Sequence, residues 1–208
     1  MKKIVVCLTG NNFPGSFLMS WTKLFRYLLA VGHEVEIRKT DVANVYHARE
    51  MILVSDIFRG KDQQIFDGKD YDYTLWIDRD QIFEPAHFEM LLEADKDIVG
   101  AAIKTLPVMQ YACGTWVNGV PKRYDFFKHE DRLIEVDFTG FGFILIKKGV
   151  FEKIEFPFFE PVLAKDKPEI KGGYLSEDYS FCAHAKDAGF KIFVDSKCRV
   201  KHLKEFMI

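Results

Sequence analysis

Four short strand-like runs, KIVVCL (3–8), HEVEI (33–37), YTLWI (73–77) and DIVGAAI (97–103), are separated by stretches long enough for helices. A chain written this way has few folds open to it. Strands joined by long crossovers pair in parallel, and the crossover helices then cover the faces of the sheet. The connecting segments fit that plan. SFLMSWTKLFRYLLAVG (16–32) carries apolar residues at helical spacing and stops at Gly32. From Asp41, at an N-cap position, VANVYHAREMILVSDIF runs on as a helix with Val42, Val45, Ile52 and Ile57 along one side. GKDYD makes a turn, and PAHFEMLLEA (85–94) opens a third helix with Pro85 at its start.

The second half loses the rhythm. MQYACGTWV, RLIEVDF and GFGFILIKK read as strands joined by turns, and KKGVFEKI as a short helix. FPFFEPVLAKDKPEIKGGY (156–174), rich in Pro, Lys and Gly, reads as a mobile loop beside a pocket. SEDYSFCAHAKDAG (176–189) is a helix stopped by Gly189, and KIFVD and CRVKHL follow as strands. The expected class is α/β: a mostly parallel, Rossmann-like central sheet flanked by helices, with a smaller antiparallel or mixed extension. A chain of 208 residues suits one such domain.

Composition narrows the partners. Lys+Arg 29 against Asp+Glu 31 leaves a formal net charge of −2, which gives no reason to expect nucleic acid. The four cysteines, Cys7, Cys113, Cys182 and Cys198, are scattered with no C-x-x-C, a pattern for buried free thiols. MKKIVVCLTG lacks the long apolar region and cleavage site of a leader, and no run approaches membrane-spanning length. The cytoplasm, or a host's cytoplasm for a viral protein, is the expected compartment.

The chemistry-bearing residues sit at element ends. Asp78 and Asp80 close the run YDYTLWIDRD, where a parallel sheet places its ligands. Two neighbouring carboxylates repel, so a divalent cation bridging them to a diphosphate is one reading and a solvated surface turn the other. Glu177 and Asp178 follow Ser176 at a helix start. Acids there are favoured by the free amides alone, or one of them reaches a pocket as general base or electrostatic partner. Gly140 and Gly142 interrupt VDFTGFGFILI, marking either a bulge or a close approach by another group. His202, in RVKHL, is structural or, beside carboxylates, a metal ligand.

Taken in order, IVVCLTG, TDVANVYHARE, YDYTLWIDRDQIF, DIVGAAIK, DFTGFGFILIKKGVFEKI and SEDYSFCAHAKDAGFKIFVDSKCRVKHL resemble nucleotide-sugar-dependent glycosyltransferases of the GT-A fold, over nearly the whole chain. Within them, the likeness is nearest to amino-terminal domains of large chlorella-virus enzymes that build capsid-protein glycans. The resemblance implies a nucleotide-binding half (1–104) and a sugar and acceptor half (105–208), in a domain that belongs to a longer chain. It implies that Thr9 and Gly10 hold the nucleoside, that Asp41 contacts base or ribose, and that Arg49 faces the donor. Asp78 and Asp80, with Arg79 between them, would meet the diphosphate and Mn²⁺ or Mg²⁺. His202 would be a third metal contact, Gly140 would line the sugar region, and Glu177 and Asp178 would carry catalysis.

The implied activity is transfer of a hexose or deoxyhexose from a UDP-sugar to a hydroxyl of a glycan or glycoprotein acceptor. Two other readings fit parts of the chain. One is a non-catalytic nucleotide-sugar-binding domain. The other is a haloacid-dehalogenase-type phosphatase, in which Asp78 is the nucleophile and Asp80 the acid/base. Against the latter, the motif follows two βα units instead of opening the chain, and Ile82 stands where threonine or valine belongs.

Overall fold

The computed structural model describes residues 1–40, 42–54, 64–105, 110–126, 131–163 and 174–203. In chain order the strands are β1 (Lys3–Thr9), β2 (Glu34–Thr40), β3 (Tyr73–Asp78), β4 (Gln81–Ile82), β5 (Ile98–Ala101), β6 (Lys104–Thr105), β7 (Gln110–Tyr111) and β8 (Cys113–Val117). They continue as β9 (Val120–Arg123), β10 (Leu133–Val136), β11 (Phe138–Thr139), β12 (Phe143–Lys147), β13 (Val162–Leu163), β14 (Tyr174–Leu175), β15 (Ile192–Asp195) and β16 (Lys201–His202). The α-helices are α1 (Gly15–Ala30), α2 (Val45–Leu53), α3 (Pro85–Glu93) and α4 (Glu177–Asp187).

Seven strands form the central sheet in the order β10-β15-β5-β12-β3-β1-β2. β1 pairs in parallel with β2 and β3, and β15 in parallel with β5. β12 lies antiparallel between β3 and β5, and β10 antiparallel against β15. The result is the expected mixed, largely parallel sheet flanked by helices. The smaller extension is the sheet β11-β8-β9.

Alternation along β3 shows why the sheet is buried on both faces. Tyr73, Leu75 and Ile77 enter one apolar layer with Phe17, Leu24 and Leu28 of α1 and Phe88 and Leu91 of α3. Trp76 enters the other, with Ile52 and Leu53 of α2 and Phe181 and Ala185 of α4. Its indole N–H donates to Thr74 Oγ1 at 3.1 Å, so the ring is buried without an orphaned donor. Around it Phe141 and Phe159 stand edge-on, with centroids 5.7 and 5.5 Å away.

Several expectations are corrected. KKGVFEKI is not a helix but a run of turns, with the Val150 amide bonded to the Lys147 carbonyl and the Lys153 and Ile154 amides to the Val150 carbonyl. Strand β12 extends to Lys147, and the Lys148 amide is bonded to the Asp72 carbonyl, which leaves too little chain for a helix. MQYACGTWV splits into β7 and β8, and β8 turns through Asn118 and Gly119, both at positive φ, into the unforeseen β9. CRVKHL is a strand only at its last described pair, Lys201–His202. Ser176 occupies the N-cap of α4 without a side-chain capping bond. The second helix is shorter than expected, spanning Val45–Leu53; Asp41 and residues 55–57 lie outside the described residues, as do 164–173 of the expected loop. All four cysteines are buried and free, and no described helix is long and apolar enough to cross a membrane.

One buried acid ties α2 to the segment after the turns. Glu50 is 6% exposed; one carboxylate oxygen accepts from the Phe159 amide at 2.6 Å and the other has no hydrogen-bond partner. Burial lifts its pKa to about 7, against the pull of the Phe159 and Phe158 amides. The folded protein therefore holds more protons than the unfolded chain between the ordinary carboxyl range and about 7, and stability falls as pH rises through that window. In urea titrations this group should remove up to about 3 kcal/mol across the window, at about 1.36 kcal/mol per unit. Glu50→Gln should flatten that part of the slope; an unchanged slope in the variant contradicts the assignment.

Candidate functional site

The ends of the parallel strands converge on one cleft. Register places Thr9 opposite Asp78, and the Asp78 amide donates to the Gly142 carbonyl at 3.0 Å, so β12 fixes the point where β3 stops. An open cleft of about 510 Å³ lies here, lined by Thr9, Gly10, Asn11, Asn12, Arg49, Asp78, Arg79, Asp80, Glu177 and Asp178. Val42, Ala43, Val45 and Ala48 form its apolar wall. That volume suits a nucleotide-sized ligand. Eight of the eleven residues expected to serve a site share this cleft; Gly140 and His202 are not among its lining residues, and Asp41 is outside the described residues.

The centre of the cleft is Arg49, 2% exposed. Its Nη2 lies 3.3 Å from Asp78 Oδ1, 3.4 Å from Asp178 Oδ1 and 3.8 Å from Glu177 Oε1. The guanidinium carbon stands 4.8 Å above the Phe141 ring, a cation–π contact. Burial opposes the charge, but Asp78, Asp178 and Glu177 together outweigh it and hold the guanidinium protonated. Arg49 Nε and Nη1 are buried with no hydrogen-bond partner.

Asp178 differs from its neighbour. Burial raises its pKa to about 7, with Arg49 pulling down and Glu177 and Asp78 pushing up. Its Oδ1 is buried without a hydrogen-bond partner, although the carboxylate as a whole keeps 22% exposure. A Cβ at Gly140 would stand 3.6 Å from Asp178 Oδ2 and 3.3 Å from Ala112 Cβ, so the glycine keeps a narrow space open beside the acid.

The two aspartates of D-x-D face different partners. Asp78 Oδ1 accepts from Thr9 Oγ1 at 3.0 Å and meets Arg49. Asp80, past the turn, has Oδ1 bonded by Gln81 Nε2 at 2.9 Å and Oδ2 at 2.8 Å from His202 Nε2. Between them Arg79 folds over Gly10, where φ is +109° and a Cβ would come within 2.8 Å of Arg79 Cδ. Arg79 Nη1 also reaches the Asn12 carbonyl at 3.4 Å, joining the first-strand loop to the turn.

His202 stands between two acceptors, since its Nδ1 is 3.0 Å from the Lys104 carbonyl. A neutral imidazole has one N–H to give. Donating it to that carbonyl turns the Nε2 lone pair toward Asp80, and a carboxylate oxygen beside an imidazole lone pair is a donor set that suits Mn²⁺. Among the described residues no group of three His, Cys, Asp or Glu side chains is arranged to hold a metal ion. The residues fit a two-donor protein contribution, with Asp78 adjacent but engaged elsewhere.

The sequence reading passed over Gln81, Asn11 and Asn12. The signal for Gln81 was available: a polar residue directly after D-x-D, inside an otherwise apolar QIF run. Removing the central cation should be costly. Arg49→Met leaves Asp78, Glu177 and Asp178 facing one another and should lose about 3–5 kcal/mol in urea denaturation at neutral pH, with part recovered in acid. A loss within about 0.5 kcal/mol, the scale of an inert surface change, contradicts this role.

No family model matches the chain, and no curated protein matches it in sequence. Solved structures match its fold. The crystal structure of A197 from STIV superposes with a TM-score of 0.58 over 99% of this chain and 87% of that one, at 20% identity. GalNAc-T7, solved with UDP, GalNAc and Mn²⁺, superposes with a TM-score of 0.56 over 99% of this chain and 43% of that one, at 12% identity. A glycosyltransferase involved in glycosylation of the major capsid of PBCV-1 reaches only 0.37 over 92% of this chain and 91% of that one, at 16% identity. These matches do not single out the chlorella-virus enzymes. The likeness that holds is one of fold: the chain has a GT-A-like fold related to glycosyltransferase structures.

Proposed function

We propose that this protein is a metal-dependent glycosyltransferase that moves a hexose or deoxyhexose from a UDP-sugar to a hydroxyl of a glycan or glycoprotein acceptor. One observation carries the reading. A GT-A-like fold gathers a D-x-D turn, a buried arginine and the Glu177–Asp178 pair around one nucleotide-sized cleft. A structure of similar fold was solved with UDP, GalNAc and Mn²⁺, the class of ligand assigned to this cleft.

Each residue takes a role that follows from its surroundings. Thr9 and Gly10 receive the nucleoside and Arg79 brings positive charge to the diphosphate; Asp41, outside the described residues, is assigned to the nucleoside from the family resemblance alone. Asp80 and His202, with Asp78 beside them, would hold Mn²⁺ or Mg²⁺, which when bound neutralises charge on the departing diphosphate. Arg49 keeps Asp78 and the acid pair at fixed separation. Asp178, raised to about 7, is poised to accept a proton from an acceptor hydroxyl near neutral pH. Glu177 orients that hydroxyl, and Gly140 keeps a side chain away from Asp178 Oδ2.

The test is turnover of UDP-hexoses with Mn²⁺, followed by comparison of Asp178→Asn and Glu177→Gln. Asp178→Asn should lower the rate by about 10²–10⁴-fold, the usual share of a general base, with near-normal UDP affinity. Because the ionised carboxylate is the active form, the wild-type rate should rise with pH and level off above about 7. An active Asp178→Asn beside a dead Glu177→Gln would reverse the assignment, and absence of turnover with UDP binding intact would leave a binding domain.

A further inference from the structure

The Asp80 carboxylate has a neighbour at each oxygen, His202 at Oδ2 and Gln81 at Oδ1. Gln81 is 1% exposed, yet it carries a full amide into the interior at the first position of β4. Its Nε2 donates to Asp80 Oδ1 at 2.9 Å, while its Oε1 is buried with no hydrogen-bond partner. A side chain kept only for packing would not leave a buried acceptor unpaired; an apolar residue of similar shape would fill the space at lower cost. The pairing β16–β4 sets His202 directly opposite Gln81, so the amide that bonds Asp80 Oδ1 and the imidazole that faces Oδ2 come from one cross-strand pair. The Leu203 amide, donating to the Asp80 carbonyl at 2.7 Å, locks that register.

Space for the amide is reserved by a third residue. A Cβ at Gly142 would meet Gln81 Nε2 at 3.0 Å, Gln81 Cδ at 3.1 Å and Ile103 Cδ1 at 2.8 Å. The glycine that interrupts the apolar strand run is thus accounted for by the glutamine that orients Asp80.

We infer that Gln81 is the positioning residue of the cation site, fixing the Asp80 carboxylate through Oδ1 so that Oδ2 and His202 Nε2 face a divalent ion together, and that Gly142 is required for it. This rests on the assignment of Asp80 and His202 to a cation. Outer hydrogen bonds of this kind orient ligating carboxylates, and their loss commonly costs about 10–100-fold in metal affinity.

Mn²⁺ binding, followed by loss of the free-ion electron paramagnetic resonance signal with UDP present, tests the inference without turnover. Gln81→Leu should weaken Mn²⁺ affinity about 10–100-fold, while UDP affinity in EDTA and the melting temperature stay at wild-type values or the latter rises. Gly142→Ala, which displaces the amide without removing it, should give a similar loss, and the double variant no more than either alone. Wild-type Mn²⁺ affinity in a folded Gln81→Leu or Gly142→Ala protein would overturn the role of Gln81 and leave the cation assignment standing. A wild-type protein that takes up no Mn²⁺ with UDP would overturn the cation assignment, and this role with it.

Discussion

A guanidinium buried in a protein interior keeps its charge and must have that charge compensated, and Arg49 has three carboxylates around it. Asp78 comes from the end of β3, Glu177 and Asp178 from the first turn of α4, and Arg49 itself from α2. The position of one cation therefore dictates where a strand must stop and where two helices must lie. Phe141 completes the seat from below, and it is wedged edge-on among Trp76, Phe159 and Phe181. The aromatic layer of the core thus doubles as the floor of the cleft. Packing and electrostatics are not separable here, because the ring that fills the core is the ring on which the charge rests.

The parts legible in the sequence were those governed by local periodicity. β1, α1, β3 and α3 follow from apolar spacing and from Gly32 and Pro85 at helix boundaries, and they were placed within a few residues. What periodicity does not encode is pairing. β12 reads as one more apolar run, and nothing in FILIK says that it lies antiparallel between β3 and β5. The Asn118–Gly119 turn was readable as a hairpin signal, since both positions need positive φ, and passing over it cost β9. KKGVFEKI has helical composition, but tertiary bonds at Lys148 and burial of Phe151 and Ile154 override it.

At the site, residue types were easier to read than partners. Spacing alone suggested that Asp78 and Asp80 share one ligand. The turn at Arg79 sends them apart, so Asp78 stabilises Arg49 while Asp80 joins Gln81 and His202 from the far end of the chain. Likewise, Glu177 and Asp178 were legible as a pair at a helix start, but not that burial would lift Asp178 to about 7. That shift depends on tertiary packing, which buries the carboxylate and brings Arg49 and the Phe141 backbone against it. Under the proposed function the division is chemically coherent: one aspartate would set the geometry of the charge cluster, the other a cation site, and the buried acid would serve proton transfer.

The central claim is that the D-x-D turn, through Asp80 and His202, holds a divalent cation against a nucleotide diphosphate in the cleft of Arg49. A crystal structure with UDP and Mn²⁺, with the metal located by anomalous scattering at the manganese edge, measures this directly. The account predicts a peak at ligand distance from Asp80 Oδ2 and His202 Nε2, in contact with diphosphate oxygens, with the uridine along the Thr9–Gly10 loop. A manganese peak remote from Asp80 and His202, or UDP bound outside this cleft, would contradict it.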